Sequence, residues 1–121
     1  MGRKILIVDD EVVLLKHLGR LFAREGYEVT TAATWTQALQ HLERGPFDAL
    51  LLDLKLPDGD GLGLLAGLTG NQRPPRAVLM TALSTPEHEA QARQLDVICL
   101  MRKPLDLAHL VHTVNGAASR P

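Results

Sequence analysis

Five short apolar runs punctuate the chain, and each is followed by a segment with helical spacing or helix punctuation. Ile5-Leu6-Ile7-Val8, Ala49-Leu50-Leu51-Leu52 and Ala77-Val78-Leu79-Met80 are apolar at every position, the pattern of strands covered on both faces. Tyr27 to Thr31 alternates instead and is predicted to lie nearer an edge. Val97 to Met101 supplies the fifth run. Strand and helix signals in alternation predict βα units around a parallel sheet.

The intervening segments carry readable ends. Val12, Leu15, Leu18, Leu21 and Phe22 recur at helical spacing, and Gly26 follows as a left-handed terminator. Thr34-Trp35-Thr36-Gln37 fits a capping box ahead of the stripe Ala38, Leu39 and Leu42, and Gly45-Pro46 stops the second helix. Leu62, Leu65 and Leu68 suggest a third helix, in which Gly63 and Gly67 each cost about 1 kcal/mol relative to alanine. Thr85-Pro86-Glu87 reads as cap, first-turn proline and acidic first turn, yet only Ala90, Ala92 and Leu95 follow as an apolar face, so the fourth helix is weakly anchored. Asp106 caps a fifth, with stripe Leu107, Leu110, Val111 and Val114, ending near Gly116. The reading is one domain over residues 1–116, with 117–121 as a tail without a partner or the start of a linker to an effector domain.

With 121 residues, 45% of them hydrophobic, the chain has material for one core. A net charge of −1 gives no basic footprint for nucleic acid, and no apolar run approaches membrane-spanning length. The start Met-Gly-Arg-Lys-Ile-Leu-Ile-Val-Asp-Asp turns acidic too early for a signal peptide, so a cytoplasmic location is expected. One cysteine, Cys99 among Val97, Ile98, Leu100 and Met101, reads as a small buried core residue.

The polar residues that change this picture stand at strand ends. Asp9 and Asp10 close the first run, Asp53 the third, Thr81 the fourth and Lys103 the fifth. Ligands of open parallel α/β sheets bind outside the carboxyl ends of the strands. Taken singly, Asp53 is a turn former, Asp9-Asp10-Glu11 a solvated helix start, Thr81 a strand residue and Lys103 a surface charge. Taken together they are four strands delivering polar groups to one edge. Ionised carboxylates about 4 Å apart repel by roughly 4 kcal/mol at an effective dielectric of about 20, so such a cluster calls for a cation or raised pKa values. An all-oxygen site with few protein ligands suits Mg²⁺, and a lysine and a hydroxyl beside it suit phosphoryl transfer to a carboxylate, with Asp53 as nucleophile.

The set Val-Asp-Asp-Glu at 8–11, Leu-Leu-Leu-Asp-Leu-Lys-Leu-Pro-Asp-Gly-Asp-Gly at 50–61, Leu-Met-Thr-Ala at 79–82 and Arg-Lys-Pro at 102–104 closely resembles the receiver domain of two-component response regulators, in order and over nearly the whole chain. The resemblance implies a flavodoxin-like three-layer α/β fold, five parallel strands in the order 2-1-3-4-5 with five helices. It implies Asp53 as phosphoacceptor, Asp9, Asp10 and Asp53 holding Mg²⁺ with the backbone carbonyl of Lys55, and Thr81 and Lys103 on the phosphoryl group. Pro57, Gly59 and Gly61 would shape a loop leaving room for metal and phosphodonor. The implied partners are a sensor histidine kinase or histidine phosphotransfer protein and an effector domain such as a transcription regulator, with a homodimer on activation, and no direct contact with nucleic acid or membrane. Two departures stand out. Leu100 occupies the place of the family's aromatic switch residue, and Asp96-Val97 and Leu105 replace frequent Gly-Ala and Phe, making the face between the fourth helix and fifth strand atypical.

Other classes fit less well. Asp-nucleophile phosphatases carry a second Asp two residues after the first, where this chain has Lys55, so turnover of an external substrate is not expected. A flavin module would need a Ser/Thr/Gly phosphate loop after the first strand, and none is present. The remaining alternative is a receiver-like interaction domain that works without phosphorylation.

Overall fold

The computed structural model describes residues 2–67, 76–83, 85–95 and 97–119. A central parallel sheet is built from β1 (Lys4–Val8), β2 (Glu28–Ala32), β3 (Ala49–Asp53), β4 (Arg76–Thr81) and β5 (Cys99–Arg102). Its spatial order is β2-β1-β3-β4-β5, the expected 2-1-3-4-5. The register pairs Val8 with Ala32 and Leu52, Asp53 with Met80, and Thr81 with Arg102. Consecutive strand ends are thereby held level along one edge.

Five helices cover the sheet: α1 (Val12–Arg24), α2 (Trp35–Arg44), α3 (Gly61–Gly67), α4 (Pro86–Gln94) and α5 (Leu107–Ala118). Successive strand residues point to opposite faces, and the core divides accordingly. Ile5, Ile7, Leu51, Val78 and Met80 pack under α1 and α5, on Leu18, Phe22, Leu110 and Val114. Leu6, Val8, Leu50, Leu52 and Leu79 pack on the other side, against Ala38 of α2, Leu62, Leu64 and Leu65 of α3, and Ala92 of α4. All three central strands are therefore buried on both faces, while β2 at the edge is largely exposed or half-buried, as its alternation predicts. Each fully buried Leu or Ile contributes roughly 1.5–3 kcal/mol, so the central strands form the rigid base of whatever their ends carry.

The caps follow the sequence. Gly26 adopts φ 93° after α1, where a side chain would be strained. Thr34 accepts from the Gln37 amide at 3.1 Å, and the Gln37 side chain reaches back to Ala33 N–H at 2.9 Å, one residue before the cap. Thr85 and Asp106 accept from the His88 and His109 amides, both at 3.1 Å. In α4 only Ala92 is buried, so this helix is the weakly anchored one.

The structure departs from the sequence reading at several points. Strand β5 begins at Cys99 rather than Val97, because the Val97 amide turns back to Ala92 O and only at Ile98 does the backbone join Ala77 O, at 2.8 Å. Helix α5 runs through Gly116 to Ala118, and buried Ala117 gives the start of the supposed tail a partner in the core. Cys99 is half-buried rather than buried, and burial pushes its thiol pKa up. Leu68 and Asp96 lie outside the described residues. No helix among the described residues is long and apolar enough to cross a membrane.

Candidate functional site

The polar residues of the strand ends meet above the edge formed by β1, β3, β4 and β5. Asp9 leaves β1 with its amide bonded to Ala32 O, and its side chain is fully buried. One oxygen, Oδ1, accepts from the Glu11 amide at 2.8 Å, closing a tight turn that starts α1. Asp53 ends β3, nearly buried, and its Oδ1 accepts from the Lys55 amide at 3.2 Å. Asp10 is exposed beside them, and Asp9, Asp10 and Asp53 each offer an oxygen within 4.8 Å of the other two. At that outer distance an ionised pair repels by about 3.5 kcal/mol at an effective dielectric of about 20.

Lys103 supplies the opposing charge. Its amide is fixed on Thr81 O at 2.8 Å, directly after β5. Its ammonium lies 2.8 Å from Asp9 Oδ2, 3.0 Å from Glu11 Oε1 and 3.1 Å from Asp53 Oδ2. Burial alone would lower the Lys103 pKa, but the hydrogen bonds to Asp9, Glu11 and Asp53 outweigh it and raise it well above the ordinary value. Asp9 moves up as well: burial dominates, aided by the Asp53 charge and opposed by the Lys103 and Glu11 hydrogen bonds. One ammonium among four carboxylates leaves a net negative site with oxygen donors only, a set that fits a hard divalent cation such as Mg²⁺.

Thr81 lies at the same edge but is not turned toward Asp53. Its hydroxyl donates to Leu83 O at 2.8 Å and accepts from the Leu83 amide at 3.1 Å. Lys55 meets Asp53 through its amide, and its side chain is exposed. A groove of about 840 Å³ opens over Asp53, Thr81 and Lys103, with Leu56, Leu83 and His88 among its walls.

The segment after Asp53 was expected to be a Pro/Gly loop leaving room for ligands. It is a short hairpin, Lys55–Leu56 against Gly59–Asp60, that lines the groove with Pro57 and Gly59 and so leaves that room, while Gly59 and Gly61, the latter opening α3, also answer to protein neighbours. A Cβ on Gly59 would stand 1.6 Å from the Trp35 ring, and one on Gly61 would stand 2.5 Å from Asp53 O. Asp58, at the hairpin tip, accepts from Trp35 N–H at 2.7 Å, Thr36 N–H at 3.1 Å and the Thr36 hydroxyl at 2.7 Å. The Thr36 hydroxyl bond, foremost among these, holds the Asp58 carboxyl below its ordinary range. Thus α2 receives a second cap from a residue 22 positions downstream, which the local pattern around Thr34 gives no sign of. Glu11 is the other side chain of the cluster that the strand-end pattern passes over, since its partner lies 92 residues away.

Residues 5–115 match the response regulator receiver domain family. The chain is 33% identical to sporulation initiation phosphotransferase F of Bacillus subtilis, covering 95% of this chain and 93% of that one. It is 32% identical to the transcriptional regulatory protein GlrR of Escherichia coli over 93% of its own length, but spans only 26% of that relative. Among solved structures, a CheY-like receiver domain protein from Methanospirillum hungatei superposes with a TM-score of 0.92 at 27% identity, covering 98% of this chain and 94% of that one. A response regulator from Burkholderia pseudomallei, described with a phosphorylated aspartic acid, calcium ion and citrate, gives 0.85 at 26% identity over 98% of this chain and 69% of that one. Sequence, topology and the strand-end cluster converge: the chain belongs to the response regulator receiver domain family.

Proposed function

We propose that this receiver domain is a phosphorylation-activated switch in which Asp53 accepts a phosphoryl group from a histidine of a sensor kinase or phosphotransfer protein. The observation that carries the reading is the position of Asp53, fixed at the end of a strand buried on both faces, with Lys103 3.1 Å from one oxygen. A carboxylate oxygen of Asp53 attacks phosphorus while the bond from phosphorus to the donor atom breaks, and the donor leaves with that electron pair. Asp9, Asp10, Asp53 and the Lys55 carbonyl would hold Mg²⁺. When bound, the ion neutralises charge on the carboxylates and the phosphoryl oxygens. Lys103 places its ammonium on the same oxygens, and Thr81, by turning from Leu83, offers its hydroxyl. The rigid β3 holds the nucleophile in place, so approach of the donor, rather than movement of Asp53, sets the geometry.

Transmission is proposed to run from Thr81 through the loop to α4 and the β4–β5 edge. Leu100 is half-buried and packs on the core, so it acts as packing rather than as a rotating ring. The output is an effector domain or a separate partner in the cytoplasm, with homodimerisation on activation, and no external substrate is turned over. Mass spectrometry after incubation with acetyl phosphate and Mg²⁺ tests the assignment. One phosphoryl adduct is expected on the wild type and none on Asp53→Asn. No adduct on either would favour an interaction domain that works without phosphorylation.

A further inference from the structure

An ammonium has three N–H donors, and in Lys103 each faces a carboxylate: Asp9, Glu11 and Asp53. Asp9 and Asp53 also have other work, the first in the acid cluster and the second as the group that is modified. Glu11 has none. It occupies the N-cap position of α1, where a side-chain oxygen ordinarily accepts from a first-turn amide, yet it makes no capping bond. Its carboxylate instead leans back 3.0 Å from Lys103 Nζ. The backbone makes this reach possible, because the Glu11 amide is pinned on Asp9 Oδ1 at 2.8 Å.

We propose that Glu11 is a positioning residue for Lys103, holding the ammonium so that one N–H remains aimed at Asp53 and the oxygens that arrive there. The proposal rests on the reading of Asp53 as phosphoacceptor. A metal drawn to Asp9 would weaken the hold of Asp9 on Lys103, and phosphorylation turns the Asp53 carboxylate into an acyl phosphate, whose carboxyl carbon no longer carries a charged oxygen. Of the three carboxylates on Lys103, Glu11 is the one that neither metal binding nor phosphorylation, as proposed, would recruit. Its side chain is 58% exposed, so the ion pair by itself adds little to stability. Its effect is directional: it fixes the end of a flexible four-carbon stem, and misplacing a charge-stabilising group is felt in the rate.

The test measures the rate of phosphorylation of the full chain by acetyl phosphate, with Mg²⁺ raised to saturation, in wild type, Glu11→Gln, Glu11→Asp, Lys103→Met and the Glu11→Gln/Lys103→Met double variant. At saturating Mg²⁺ the rate is expected to fall about tenfold in Glu11→Gln, with no further fall when that change is added to Lys103→Met. Glu11→Asp keeps the charge but loses the reach, so it should be slowed as well. A second readout needs neither metal nor phosphodonor: the ¹H–¹⁵N signal of the Lys103 ammonium, protected in the wild type, should broaden by solvent exchange in Glu11→Gln. A wild-type rate in Glu11→Gln or in Glu11→Asp, or an unchanged loss on the Lys103→Met background, overturns the proposal and leaves only a diffuse charge effect. Should the wild type itself take no phosphoryl group, the reading of Asp53 fails, while the ammonium signal still decides whether Glu11 holds Lys103.

Discussion

Gly59→Ala tests how firmly the hairpin beside Asp53 is set by its neighbour in α2. The new methyl carbon would stand 1.6 Å from Trp35 Cε3 and 2.5 Å from Cζ3, whereas carbon atoms settle at about 3.5–4.0 Å. Ring or hairpin must therefore move by about 2 Å. The ring is half-buried against Leu-rich core, and its indole N–H is buried without a partner among the described residues, so packing holds it. The hairpin is tied by Asp58, the adjacent residue, to the amides of Trp35 and Thr36. Neither side yields freely, and overpacking of this kind costs about 1–3 kcal/mol. For a domain of this size that is a drop of roughly 3–15 °C in Tm. Thermal unfolding followed by circular dichroism and by the fluorescence of Trp35, the single tryptophan, measures both the loss and the displaced ring. In a Trp35→Ala background the same substitution should cost less than about 0.5 kcal/mol, because the clashing partner is gone. A Tm unchanged by Gly59→Ala, or an equal loss with and without Trp35, would refute the reasoning.

Mg²⁺ at ten times its dissociation constant should stabilise the fold by about 1.4 kcal/mol through mass action, an increase absent in an Asp9→Asn/Asp10→Asn variant at matched ionic strength. An unchanged melting temperature in the wild type would count against the metal site. With chelator present, Asp9 should make stability fall as pH rises: its folded-state pKa lies above 3.8, so between the two values the native state holds more proton than the unfolded chain. The Tm of Asp9→Asn relative to wild type should accordingly grow more favourable as pH rises through that interval and then level, and a flat difference would exclude it. Leu83 is 68% exposed at the mouth of the groove and has no polar atom to orient water. Leu83→Gln should therefore shorten the lifetime of phosphorylated Asp53, measured by phosphate release; an equal or longer lifetime would remove Leu83 from that role.

What could be read in the chain and what could not separate along a physical line. Runs such as Leu50 to Leu52 and caps such as Thr34, Thr85 and Asp106 are local signals, and the structure uses them as written. The strand-end acids could be located because a parallel sheet sends every strand's carboxyl end to the same edge. What stayed hidden depends on pairs far apart in sequence. Asp58 looks like turn chemistry until α2 arrives beside it, and Gly59 looks like loop freedom until the Trp35 ring fills the space a side chain would need. Glu11 reads as a helix start, and nothing near it in the chain announces Lys103. Boundaries shifted where a neighbouring element competes for the same backbone, as at Val97 between α4 and β5.

The paired bonds between Thr81 and Leu83 bear on how quiet the unphosphorylated protein can be. A hydroxyl has one proton to give, and here Leu83 O holds it while the Leu83 amide occupies the oxygen. In the proposed switch, turning the Thr81 side chain toward a phosphoryl group surrenders both contacts, about 1 kcal/mol apiece. In the absence of a phosphoryl group nothing repays that loss, so the turned-in rotamer is populated at only about one part in thirty. On the proposed route of transmission the resting molecule thus has a low noise floor, set by one side chain and its own backbone two residues on.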